Sequence, residues 1–75
     1  MKKVLLIVRD REKATQLNRM LDHVDAEPIL FGGGQGRRWD QIILCDELKT
    51  GVEREWKETV LKTRVAPGGE LVELW

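Results

Sequence analysis

Two short runs of uninterrupted apolar residues, VLLIV at 4–8 and IILC at 42–45, constrain this chain more than any other feature. Each is shorter than an ordinary helix, contains β-branched residues and is bounded by charge, which is the pattern of a strand buried on both faces. Such strands need covering layers on both sides of their sheet. They therefore predict an α/β domain built on a parallel sheet. With 75 residues there is room for one domain, residues 1–75, near the size at which a single apolar core only just offsets chain entropy.

The segments between the runs supply the other elements. Asp10 is placed to cap a helix, Glu12 lies in its electropositive first turn, and Ala14, Leu17, Leu21 and Val24 recur on one face, so a helix is predicted to end near His23. Pro28 then suits the start of an edge strand over residues 29–31. Residues 41–45 form the third strand. Thr50 and Glu53 match a capping box opening a second helix to about Arg64, with Val52, Trp56 and Val60 on its inner stripe. Ala66, Pro67, Gly68 and Gly69 predict a turn, and residues 71–75 a final strand whose neighbouring acids, Glu70 and Glu73, suit an exposed edge.

The order is β-α-β-loop-β-α-β, and right-handed crossovers give a strand order of 2-1-3-4, a small Rossmann-like sheet of four strands with two helices. The link between the second and third strands has roughly eight residues, whereas parallel crossovers ordinarily use about a dozen or more. Either it crosses as an extended loop where a helix is missing, or these two strands pair antiparallel.

Lys and Arg (13) balance Asp and Glu (13), so attraction to nucleic acid or to an anionic membrane is not built into the net charge. No stretch approaches the roughly 18 apolar residues of a membrane span. The lone cysteine, Cys45, has no intramolecular disulfide partner, which points to a reducing compartment, the cytoplasm. One histidine, His23, and one core cysteine do not supply the parts of a metal site or a nucleophilic pair. No cofactor is implied.

The segment FGGGQGRRWDQIILCDE carries the candidate chemistry. Gly32, Gly33, Gly34 and Gly36 permit positive φ and convergent backbone amides, while Arg37 and Arg38 add charge and bidentate geometry for phosphate. A phosphate-gripping loop, however, continues with Lys and Ser or Thr into a helix, and this one continues with Arg-Arg-Trp into a strand. The competing reading is a flexible connector. The following IILC-Asp46-Glu47 has the form of a Walker B strand, but without a phosphate-gripping loop it implies no ATP hydrolysis. Asp10 and Asp46 both follow predicted parallel strands, so Arg9, Asp10, Arg11, Arg37, Arg38, Asp46 and Glu47 are expected to share the carboxyl edge of the sheet, either as a shallow cleft or as paired and hydrated charges. Trp39, beside the Arg pair, is expected to be partly exposed, in the style of an interface anchor or a base-stacking platform.

KKVLLIVRDREKATQLNRML resembles the first strand, acid cluster and first helix of a response-regulator receiver domain, and WDQIIL resembles its third strand. The phosphoacceptor aspartate of that family would fall on Cys45, so the resemblance implies the flavodoxin-like sheet and not phosphorylation. WDQIILCDEL and APGGELVEL are similar to the fourth and fifth strands of class I methyltransferases, whose cofactor loop has no counterpart here. In size and trimmed Rossmann-like style, the chain also resembles small accessory proteins carried by bacteriophages.

These observations lead to the expectation of a non-enzymatic binding domain that contacts a protein, such as a host macromolecule, through Gly32, Gly33, Gly34, Gly36, Arg37, Arg38 and Trp39, with Arg9, Asp10, Asp46 and Glu47 as a secondary surface. The alternative is a phosphate, nucleotide or nucleic-acid binder using the loop from Gly32 to Arg38. Edge strands also allow a homo-oligomer.

Overall fold

The structure is a computed structural model describing residues 2–31 and 37–74. It forms one four-stranded sheet in the order β2-β1-β3-β4, with every neighbouring pair parallel. The elements are β1 (Val4–Val8), α1 (Arg11–Met20), β2 (Val24–Pro28), β3 (Trp39–Leu44), α2 (Gly51–Trp56) and β4 (Val65–Glu73). The predicted class and strand order are those observed. Because β2 and β3 both pair with β1, the link between them crosses the sheet, and the antiparallel alternative falls away. No helix among the described residues is long and apolar enough to cross a membrane.

The apolar runs sit where their composition requires. Leu5, Ile7, Ile42 and Leu44 are fully buried and pack with Trp39, Leu48 and Leu61 on one face of the sheet, flanked by Ile29, Trp56, Val65 and Leu71. Val8 packs with Ala14 and Ala26 on the other face, beside Leu6, Leu17 and Cys45. Alternate residues of β1 thus feed two separate cores, as the period of two in a strand dictates.

Four elements have bounds that differ from the sequence expectation. The first helix stops at Met20, where Leu21 turns extended and donates its amide to the Leu17 carbonyl at 2.9 Å. The next strand consequently begins at Val24 and ends at Pro28, so the proline closes the strand instead of opening one over residues 29–31. Ile29 donates its amide to the Val8 carbonyl at 2.8 Å, which places the odd-numbered amides of β2 toward β1 and leaves Pro28, which has no N–H, facing outward.

Tryptophan 39 opens β3 two residues earlier than predicted. The amides of Asp40 and Gln41 both donate to the Lys3 carbonyl, at 2.9 and 3.2 Å, so two residues oppose one. This bulge breaks the alternation and swings Trp39 onto the same core face as Ile42 and Leu44.

The predicted turn at Ala66, Pro67, Gly68 and Gly69 lies inside β4, as an excursion opposite the bulge: Trp39 pairs with Val65 and Gln41 with Glu70. Gly68 takes φ +81, and a Cβ on Gly69 would stand 2.6 Å from the Asp40 carbonyl oxygen. Both positions therefore need glycine.

The second helix is helical over the predicted span but changes pitch, passing from α2 into a π turn (Lys57–Leu61) and a 3₁₀ turn (Lys62–Arg64). The Thr59 hydroxyl donates to the Glu55 carbonyl at 2.8 Å and Thr63 to Val60 at 2.8 Å, competing with backbone amides for those acceptors. The inner stripe is also offset by one residue at its start. Val52 is 66% exposed, and Glu53 points inward at 6%. The capping box is the reason, because it turns the Glu53 side chain back toward the helix start and sends Val52 outward.

Candidate functional site

At the carboxyl edge, where open α/β sheets bind ligands, the parallel pairing of β1 and β3 brings the segments after both strands together. The Arg9 amide donates to Asp46 Oδ2 at 2.8 Å. Its guanidinium donates Nη1 to Glu53 Oε2 at 2.9 Å and Nη2 to Glu53 Oε1 at 3.0 Å, and Nη2 also reaches the Glu47 carbonyl at 2.6 Å. Glu53 Oε1 accepts in addition from the amides of Lys49 at 2.7 Å and Thr50 at 3.3 Å. The Arg9 hydrogen bond and these amides hold the Glu53 carboxyl at a pKa of about 2, well below the usual carboxylate range. The same bond raises the Arg9 pKa. Asp10 is the N-cap of α1, its Oδ1 accepting from the Glu12 amide at 2.9 Å.

These contacts give Arg9, Asp10, Asp46 and the Glu47 backbone structural partners. They form a latch that ties β1, β3 and α2 across the edge where a ligand would sit. Sequence reasoning assigned Glu53 only a capping role and missed its ion pair with Arg9, although the capping-box signal already marked it as an inward-turning acid. Burial, with the adjacent Asp46, pushes the Cys45 thiol pKa up, away from thiolate chemistry. Among the described residues, no three His, Cys, Asp or Glu side chains gather closely enough to hold a metal ion.

Arg37 and Arg38 do not join this group. They precede β3 at the amino end of the sheet, on the order of 15 Å from its carboxyl edge by strand rise. The expected convergence of Arg37 and Arg38 with Arg9, Asp10, Arg11, Asp46 and Glu47 is therefore corrected: parallel strands carry the start of β3 and the end of β1 to opposite edges. Arg37 Nη1 lies 3.6 Å from Asp25 Oδ2, and Arg38 Nη1 donates to the Thr63 carbonyl at 3.1 Å. Gly32, Gly33, Gly34 and Gly36 lie outside the described residues.

Trp39 is corrected as well. It is 4% exposed and belongs to the main core, because the bulge directs it inward. What remains exposed of it lines a cleft beside Arg37 and Asp25.

What the connector does display lies at its other end. Leu30 adopts φ 68, the left-handed region that costs a branched side chain about 1–2 kcal/mol. Leu30 and Phe31 are each 49% exposed. The corner is fixed, since the Phe31 amide donates to the Pro28 carbonyl at 3.1 Å and the Trp56 indole donates Nε1 to the Phe31 carbonyl at 3.1 Å. Phe31 and Arg37 also wall an open cleft of about 450 Å³, together with Asn18, Leu21, Asp25 and Ala26. Nothing in the composition of Leu30 and Phe31 marked them for exposure, because apolar residues after a proline read as a strand.

Comparison with protein-family models, with curated proteins and with solved structures finds no match to this chain.

Proposed function

We propose that this chain is a non-catalytic binding domain that contacts a protein partner through the connector between β2 and β3. Its described ends present Leu30 and Phe31 on one side and Arg37 and Arg38 on the other. The carrying observation is the Leu30 corner: a leucine held at φ 68 with its own side chain and that of Phe31 half exposed. The left-handed backbone at Leu30, joined to two adjacent half-exposed apolar side chains, supports a binding role for this corner. An aromatic side chain sharing a cleft with a guanidinium, Phe31 with Arg37, combines two residue types enriched at protein interfaces. The carboxyl edge, by contrast, has its Arg9 guanidinium and Glu53 carboxylate engaged with each other. The test is affinity capture with wild type and with Leu30→Asn/Phe31→Ser, scored by quantitative mass spectrometry. Loss of specific partners from a folded variant supports the proposal, and an unchanged captured set overturns it.

A second reading is supported by the looseness of the Arg37 contact. Its side chain is 66% exposed and its ion pair with Asp25 is 3.6 Å long, so the guanidinium is accessible to an anion. A phosphate, nucleotide or single-stranded nucleic acid bound there would show salt-dependent affinity, lost in Arg37→Ala/Arg38→Ala. Amide spectra unchanged on titration with these ligands at low salt would remove this reading.

A further inference from the structure

The two edges of the sheet are built differently. On β2 the outward-facing residues are Val24, Ala26 and Pro28. Asn18 of α1 closes the middle of this edge: its Nδ2 donates to the Ala26 carbonyl at 2.9 Å, and its Oδ1 accepts from the Ala26 amide at 2.8 Å. The side-chain amide thus makes the pair of hydrogen bonds that an added strand would make. Pro28 offers no donor. An extended segment laid along β2 would find its central site occupied and its last donor missing.

Beyond the Pro67 excursion, residues 70–74 of the β4 edge have neither device. The Leu74 amide donates to the Leu44 carbonyl at 3.0 Å, and Val72 pairs with Ile43, so the even-numbered residues bond inward to β3. The amides and carbonyls of Leu71 and Glu73 therefore face away from the sheet. The two acids that could guard this edge are both drawn back over the fold. Glu70 Oε1 accepts from Gln41 Nε2 at 3.0 Å, and Glu73 Oε1 accepts from Lys57 Nζ at 2.6 Å, an ion pair that offsets its charge.

We infer that β4 is a docking edge for a second copy of this chain, pairing antiparallel about a two-fold axis at Val72 to make one continuous eight-stranded sheet from two four-stranded ones. The edge is self-complementary in this register. Leu71 lies opposite Glu73 of the second copy, Glu70 opposite Leu74, and Val72 opposite itself, so no two acids face each other. The apolar half of the contact is at hand: Val72 and Ile43 are half-buried neighbours, and Leu74 is 62% exposed. A strand's alternating donors and acceptors are matched only by another extended backbone, and each copy carries one with the same open edge. This inference uses a surface separate from the Leu30 corner and stands independently of the proposed partner.

Sedimentation equilibrium of the whole chain, across a series reaching about 1 mM, reads the association directly. A reversible dimer is expected, with the Leu71 and Glu73 amides becoming more protected from hydrogen exchange as concentration rises. Glu73→Pro removes an outward donor without touching a β3 bond, and Val72→Lys places like charges at the axis. Each is expected to weaken the dimer about tenfold or more. Mixing Val72→Lys with Val72→Glu should restore association, a rescue that only the two-fold register at Val72 predicts. A monomer at every concentration overturns the inference and leaves the edge to a strand from a different protein. A dimer indifferent to both substitutions, or exchange at Leu71 and Glu73 independent of concentration in the wild type, overturns it equally.

Discussion

Arg9 and Glu53, remote in sequence, meet in a bidentate ion pair with both Nη–Oε distances near 3 Å, at 2.9 and 3.0 Å. The pair joins the end of β1 to the first turn of α2 and closes the edge of the sheet at which ligands of this architecture bind. The sheet is therefore held by polar groups at the edge where open α/β sheets ordinarily bind ligands. The binding surface proposed above lies elsewhere, at the connector corner of Leu30 and Phe31.

Acid should loosen this latch. The folded-state pKa of Glu53, about 2, lies below its ordinary value of 4.5, so the contribution of the pair is present above pH 4.5 and is lost as pH falls toward 2. Glu53→Gln should unfold more readily at pH 7 and show a flatter stability profile between those limits. Denaturant melts at a series of pH values measure both effects.

Trp39 and the arginines that precede it should separate cleanly under substitution. Trp39→Ala removes a buried indole and should cost about 3–5 kcal/mol, enough to unfold much of a domain this small. Arg37→Ala loses an exposed ion pair and should shift stability by no more than about 0.5 kcal/mol. Urea denaturation of the two variants provides the comparison.

The β2 edge should open when its guard is removed. Asn18→Ala breaks both bonds to Ala26 and should cost about 1–2 kcal/mol. It should also increase the exchange rate of the Ala26 amide and raise the tendency to form higher assemblies through β2. Hydrogen exchange and light scattering read these two consequences.

Glycine 69 should tolerate no side chain. In Gly69→Ala the methyl would meet the Asp40 carbonyl oxygen at 2.6 Å, and the backbone displacement should cost about 1–3 kcal/mol. The loss should appear as a lower urea midpoint with unchanged slope, and the amides of Asp40 and Gln41 should shift together because both belong to the bulge.

The parts of this fold that were legible in the sequence are those set by period and composition. VLLIV and IILC could only be buried strands, Asp10 and Thr50 announced the starts of their helices, and right-handed crossovers then ordered the sheet. What was not legible depended on contacts between distant segments. Asp25 and Glu27 concealed β2 because only alternate residues of that strand face α1. Trp39 could not be assigned to the core without the bulge against Lys3. Arg9 and Glu53 could not be paired before the register of β1 and β3 was known. For the same reason, the sequence pattern alone groups Arg37 and Arg38 with residues at the far edge of the sheet, and reads Leu30 and Phe31 as strand where they form an exposed corner.

The central proposal is that this chain binds a protein through the connector corner. The most direct measurement is parallel affinity capture with wild type, Leu30→Asn/Phe31→Ser and Glu73→Pro, each confirmed folded by circular dichroism. The account predicts that the corner variant loses its specific partners while Glu73→Pro, altered at β4 and its Lys57 ion pair, retains them. Equal capture by wild type and the corner variant would contradict it.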